Sequence, residues 1–194
     1  MSFVHLRTHT EYSVVDGMLR IAELAAAARA DGQPALAITD LNNLFGTIKF
    51  YAACRAVGVK PLIGVDVLME PPASATGPER QASRLALLVQ NTQGYLHLCE
   101  LLARGWLSNA QRQQAWIKWD WLRELGGGLI ALSGADLGAV GSALLADDDL
   151  RRAQRHIHPL DRRQSKRRRL PAPRLRLADE LVMNASASVR IFRV

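Results

Sequence analysis

Residues 35–69 read ALAITDLNNLFGTIKFYAACRAVGVKPLIGVDVLM. ALAIT (35–39) is a short, continuous apolar run, the pattern of a strand buried on both faces. GTIKFYAACRAVG (46–58) reads as a helix closed by Gly58, since glycine takes the left-handed backbone that ends a helix without a steric penalty. VKPLIGVDVLM (59–69) is a second strand candidate with several β-branched residues. Strand, helix and strand with short connections describe a parallel βαβ unit.

The alternation continues on both sides. FVHLRTH (3–9) is a short strand candidate, and IAELAAAARADG (21–32) an alanine-rich helix with Ile21, Leu24, Ala25 and Ala28 on one face. EPPASATGPERQAS (70–83) is a Pro/Gly/Ser loop, RLALLVQN (84–91) a strand and GYLHLCELLARGWL (94–107) a helix. WIKWDWLRELGGG (116–128) reads as a short helix with a glycine stop, followed by the strand LIALSG (129–134). The expected class is α/β with parallel strands, and periodicity leaves open whether the sheet is open or closed into a barrel. Such folds place their chemistry in loops at the carboxyl ends of strands, here THTEYS, TDLNN, the Asp66 region and QNTQG.

A chain of 194 residues suffices for one domain with a sizeable core, or a domain plus an appendage. No apolar run approaches the roughly 18 residues that span a bilayer. MSFVHLRTHTEYS lacks a basic region followed by an apolar stretch, so neither a signal peptide nor a membrane segment is expected, and the location is cytoplasmic. Cys54 and Cys99 form no CxxC and read as reduced thiols.

The net charge of +7 belongs to one end. Residues 151–194 hold 13 of the 25 Lys+Arg and three acids (Asp161, Asp179, Glu180), leaving 12 basic and 15 acidic residues in 1–150. The body is therefore about −3 and the tail about +10. The tail contains RRQSKRRRLPAPRLR and has no sustained amphipathic period. Two readings stay open for it: a disordered arm that binds phosphate backbones, or out-of-frame translation of a GC-rich gene.

Candidate functional residues gather at strand ends. In an extended HLRTH, His5, Arg7 and His9 point to one side, with Glu11 close behind, Asp40 after ALAIT and Asp66 within GVDV. Histidine and carboxylate from strand ends suit Zn²⁺, Mn²⁺ or Fe²⁺ and phosphate-ester hydrolysis. The same residues also serve as turn and cap residues, and spacing alone does not separate the two. GGGLIALSG has neither GKS/GKT nor GxGxxG, so its glycines are a helix stop rather than a phosphate cradle. Trp106, Trp116, Trp119 and Trp121 read either as a partner surface or as core, with Trp116 and Trp119 on one helical face.

HLRTHTEYSVVDG, ALAITDLNNLFG, GVKPLIGVDV, LLVQNTQGYLHLCEL and GGGLIALSGADLGAVG, in this order, resemble the PHP (polymerase and histidinol phosphatase) domain. The likeness is closest to PHP domains that open bacterial replicative DNA polymerase alpha subunits, and it covers about residues 2–150. It implies a distorted β/α barrel of the PHP type, incomplete at its C-terminal end, with 1–150 the PHP-like domain and 151–194 the basic tail. It also implies metal ligands where this chain departs from the pattern. Arg7 and His9 match the first-motif HxH, and Thr39-Asp40-Leu41 matches TDH. Asp66 stands for a glutamate, and Arg84 for a histidine. The implied remnants are His9, Asp40 and Asp66, with Arg7, Leu41 and Arg84 at lost ligand positions.

Arginine offers no lone pair and adds positive charge where cations would sit, and leucine has no donor atom. Arg7 is expected to pair with Asp40 or Asp66 and leave the metal site vacant, with no catalytic residue. Zn or Mn would be bound only by an active site, and Mg belongs to the parent polymerase. The implied role is a structural, partner-binding module of a DNA-directed DNA polymerase, with the rest of the alpha subunit and the proofreading exonuclease subunit as partners and DNA contacted indirectly. The alternative is an active phosphoesterase or 3'-5' exonuclease of the PHP superfamily. A barrel lacking its last part is also expected to expose an unpaired strand edge.

Overall fold

The computed structural model of the chain describes residues 3–71, 82–111, 113–139, 141 and 191–193. In chain order the elements are α1 (Ile21–Ala30), β1 (Ala35–Ile38), α2 (Thr47–Ala56), β2 (Lys60–Met69), β3 (Ser83–Val89) and α3 (Thr92–Ser108). They are followed by β4 (Ala110–Gln111), β5 (Gln114–Ile117), α4 (Trp119–Leu125), β6 (Leu129–Leu132) and β7 (Ile191–Arg193).

The strands form a curled half-barrel sheet in the order β4-β5-β2-β3-β6-β7, with β1 also on β2. β2 is its organising strand. Its first half pairs in parallel with β1, Ala35 opposite Lys60 through Ile38 opposite Ile63, and its last two residues pair in parallel with β5. β3 runs antiparallel to β2, and β6 antiparallel to β3, so β1, β2, β5 and β6 share one direction. The expectation of parallel strands throughout fails at β3. The loop reading of 70–83 contains the reason: a strand reached without a crossover helix returns antiparallel.

Side chains alternate along β2, and the two faces meet different cores. Val65, Val67 and Met69 pack with Leu85 and Leu87 of β3, Leu98 and Leu101 of α3, and Leu122 of α4. On the other face a smaller cluster joins Ala37, Ala86, Leu88 and Leu132, with Leu6 and Leu62 against it. A third cluster seats α1 and α2 on β1 through Ile21, Ala25, Leu36, Ile38, Phe50 and Cys54. Asp66 alternates with Val65 and Val67, so it faces away from the α3 and α4 core.

Two further expectations change. FVHLRTH is not a regular strand. It lies beside β1 through Ala37 N–H to His5 O (2.9 Å) and Thr39 N–H to Thr8 O (2.8 Å), while Thr8 N–H donates to the Thr39 hydroxyl in place of a ladder carbonyl. Trp116 belongs to β5 and Trp119 to α4, so they share no helical face. The edge of the sheet is not β6, whose Ile130, Ala131 and Leu132 lie opposite Arg193, Phe192 and Ile191; among the described residues the sheet order ends at β4 and β7. The remainder of the basic tail, 151–190 and 194, lies outside the described residues, and so do the two readings made of it. Among the described residues no helix is long and apolar enough to cross a membrane.

Candidate functional site

The segment after His9 folds back on itself. Glu11 N–H bonds Leu19 O (2.9 Å), Ser13 N–H bonds Thr10 O (2.8 Å), and Gly17 N–H bonds Ser13 O (2.6 Å). A Cβ at Gly17 would stand 1.9 Å from Thr10 O, so only glycine closes this turn. The turn brings Ser13 and Asp16 beneath His9. Ser13 Oγ donates to Asp16 Oδ1 at 2.7 Å and accepts from Leu41 N–H at 3.2 Å.

Three side chains then converge on Asp66, which is fully buried. Arg7 donates to its Oδ2 from Nε (3.1 Å) and Nη2 (2.5 Å), and His9 Nε2 is 3.1 Å from the same oxygen. Arg84 Nη1 lies 3.6 Å from that oxygen and 2.7 Å from Asp16 Oδ2. Asp16 Oδ1 closes the cluster on His9 Nδ1 at 2.8 Å. The register explains the arrival of Arg84: Asp66 opposes Ala86, and Arg84 sits two residues along on the same face.

Both ring nitrogens of His9 face carboxylate oxygens, which only the imidazolium satisfies, since it donates from both. Burial opposes that charge as the largest single influence. The hydrogen bonds and charges of Asp66 and Asp16 together overcome it, and the His9 pKa is raised. Burial likewise pushes against ionisation of Asp16, but bonds from Ser13, Arg84 and His9 pull its pKa down to about 2.

The implied ligands do not all come together. His9, Asp66, Arg7 and Arg84 meet; Asp40 lies near enough to feel the charges of His9 and Asp16, but its hydrogen bonds go elsewhere. Its Oδ1 accepts Thr10 N–H (2.5 Å) and its Oδ2 the Thr10 hydroxyl (2.8 Å). Burial raises the Asp40 pKa against the pull of those two bonds. Arg7 therefore chooses Asp66 of its two expected partners. Leu41 is half-buried and bridges Asp66 through backbone only. His5 is exposed, edge-on to Phe3, and Glu11 pairs with Lys49 at 2.6 Å on the surface. Asp16 and Ser13 were not read from the sequence as site residues. The available signal was the Gly-terminated turn that starts at His9.

Asn42 was also missed. It is buried with φ 54°, a backbone that asparagine tolerates better than most residues. Its Nδ2 donates to Ala115 O (3.0 Å), its Oδ1 accepts Leu68 N–H (3.3 Å), and its carbonyl accepts from Trp106 Nε1 (2.9 Å). It thus staples β2 to β5 just after the strand end that carries Asp40.

As placed, these residues do not fit a bound metal. Three cationic groups surround two carboxylates, and each imidazole nitrogen is taken by a carboxylate. Among the described residues no group of three or more His, Cys, Asp or Glu is placed to hold a metal ion. Asp66 Oδ1 remains buried without a hydrogen-bond partner, but Arg7 and Arg84 beside it repel a cation.

The fold and the polar cluster at its strand ends define the class, and comparison with known proteins agrees: the family model described as "PHP domain" matches residues 5–167, and the chain belongs to this family. Within it, the chain is similar to the N-terminal region of DNA polymerase III alpha subunits. It is 43% identical over 149 residues to the subunit of Pseudomonas aeruginosa, covering 77% of this chain and 12% of that protein. It is 42% identical over 143 residues to that of Escherichia coli K12, covering 74% of this chain and 12% of that protein. The chain thus spans about an eighth of the length of these relatives. Among solved structures, an amidohydrolase from Chromobacterium violaceum aligns with a TM-score of 0.41 and 24% identity, over 53% of this chain and 32% of that one.

Proposed function

We propose that this chain is the PHP module of a replicative DNA polymerase alpha subunit, acting in the cytoplasm as a scaffold and partner-binding part of that polymerase rather than as a hydrolase. The observation that carries the reading is Arg7 on Asp66: a permanent cation stands at the position of a family ligand and neutralises the carboxylate a metal would need. Arg84 reinforces it from β3. An ion-paired cluster of this kind positions strands and loops without needing a metal.

In this reading, residues 1–150 are the module and 151–194 an appendage. Nucleotide transfer with Mg²⁺ belongs to the polymerase segments of the longer relatives. The partners are the remainder of the alpha subunit and the proofreading exonuclease subunit, with DNA reached through them.

The test is direct. Purified chain dialysed against Zn²⁺ or Mn²⁺ is expected to carry no stoichiometric metal by elemental analysis and to leave p-nitrophenyl phosphate intact. One or more metal ions per chain together with turnover would establish the phosphoesterase alternative instead.

A further inference from the structure

β6 reads LIAL, with Leu129, Ala131 and Leu132 buried, and it carries no charge, proline or bulge. Those are the devices by which an edge strand discourages pairing with other chains, so β6 is undefended on its own. One side of it is taken by β3 and the other by β7, in an unbroken antiparallel register over Ile191–Arg193. β7 is no continuation of the strand–helix alternation. It runs against β6, while β1, β2 and β5 run with it, and it is reached from Leu132 only after 58 intervening residues. The segment that supplies it, SVRIFRV (188–194), joins β-prone residues to Arg190 and Arg193. Arg193 gives the new outermost strand a charged residue of the kind β6 lacks.

We propose that the outer edge of β6 is a strand-acceptor site, and that the C-terminal segment of this chain is its resident occupant, capping the sheet in cis against pairing with other chains. Because the segment belongs to the same chain, its pairing is intramolecular, which favours it over a competitor strand from solution. The inference is independent of the polymerase reading, since it needs only the sheet and its last strand.

Hydrogen exchange on the full chain tests it first. The amide of Ala131, opposite Phe192 in the register, is expected to be protected, and the chain to run as a monomer by light scattering over a wide concentration range. In Phe192→Pro, which removes a backbone donor from β7, that protection is expected to fall by at least about tenfold, with association appearing as concentration rises. Adding free SVRIFRV peptide to the variant should restore both. Free exchange of the Ala131 amide in the unsubstituted chain overturns the proposal, whatever becomes of the variant. So does unchanged protection in Phe192→Pro. A full-chain oligomer that dissociates on that substitution also overturns it, because the strand then acts between copies.

Discussion

Arg7 places Nε and Nη2 on a single oxygen of Asp66, at 3.1 and 2.5 Å, and leaves the other oxygen, Oδ1, buried without a partner. The pair is therefore not the two-pronged fork in which guanidinium and carboxylate satisfy each other completely. Every cation in the cluster addresses Oδ2, and the desolvation of Oδ1 is uncompensated.

That asymmetry predicts how the pair responds to substitution. Removing Arg7 alone leaves a buried carboxylate held only by His9 and Arg84. Arg7→Met should cost about 1–3 kcal/mol, below the range for a wholly buried pair because Arg7 is partly exposed. Replacing both partners, as Arg7→Met with Asp66→Val, removes the orphaned oxygen as well. The double variant should lose less than the sum of the singles, with a coupling of at least about 1 kcal/mol in urea unfolding. Strict additivity would mean that Arg7 does not stabilise the fold through Asp66.

His9 gives the site a pH dependence whose sign follows from its partners. Its folded pKa lies above the unfolded value near 6.5, so its contribution is fully present below that value and is lost as pH rises through the folded pKa. Asp16 acts at the other end. Its folded pKa of about 2 lies below its ordinary 3.8, so its contribution holds above 3.8 and is lost as pH falls toward 2. The melting temperature of the native chain should therefore decline, relative to His9→Gln, as pH rises from 6.5 upward. Parallel melting curves for the two proteins would show that His9 is not the group responsible.

Asn42 should be among the least replaceable residues of the fold. Asn42→Ala strands Leu68 N–H and Ala115 O and forces a left-handed backbone on alanine, for a total of roughly 2–4 kcal/mol. Asn42→Gly keeps the backbone and loses only the two bonds, so it should be more stable than the alanine variant by about 1 kcal/mol. Chemical unfolding of the three proteins separates backbone from side chain. Equal loss in both variants would assign the whole effect to the hydrogen bonds.

The elements legible in the sequence were those with a strong local signal. α2, β2 and α3 each lie within two residues of their predicted bounds, because apolar period and glycine punctuation agree there. The direction of β3 was legible in principle, since the connection before it offered no helix. The β4–β5 hairpin was not, because a two-residue strand leaves no period to read and Trp116 suited a helix equally well. At the site, Arg7 and Arg84 declared themselves by chemistry that a metal rejects. Asp40 stayed ambiguous because a carboxylate after a strand looks the same whether it faces a ligand or, as here, accepts from Thr10. Asp16 was hidden because its place beneath His9 depends on the fold of a turn, not on a spacing along one element.

The two cysteines should report on the α1–α2 core separately from the site. Cys54 is fully buried on α2 among Ile21, Ala25 and Phe50, and burial pushes its thiol up to about 11. A thiol-exchange reagent attacks the thiolate, so at pH 8 Cys54 is protected twice, by access and by protonation. Cys99 is only half-buried on α3 and should react first. Labelling of the native chain should therefore be biphasic, with the slow phase accelerating in low urea as the α1–α2 layer opens. In Cys99→Ser the fast phase alone should vanish. If the slow phase vanished instead, Cys54 would be the accessible thiol and the packing of α2 against β1 would have to be looser than its contacts indicate.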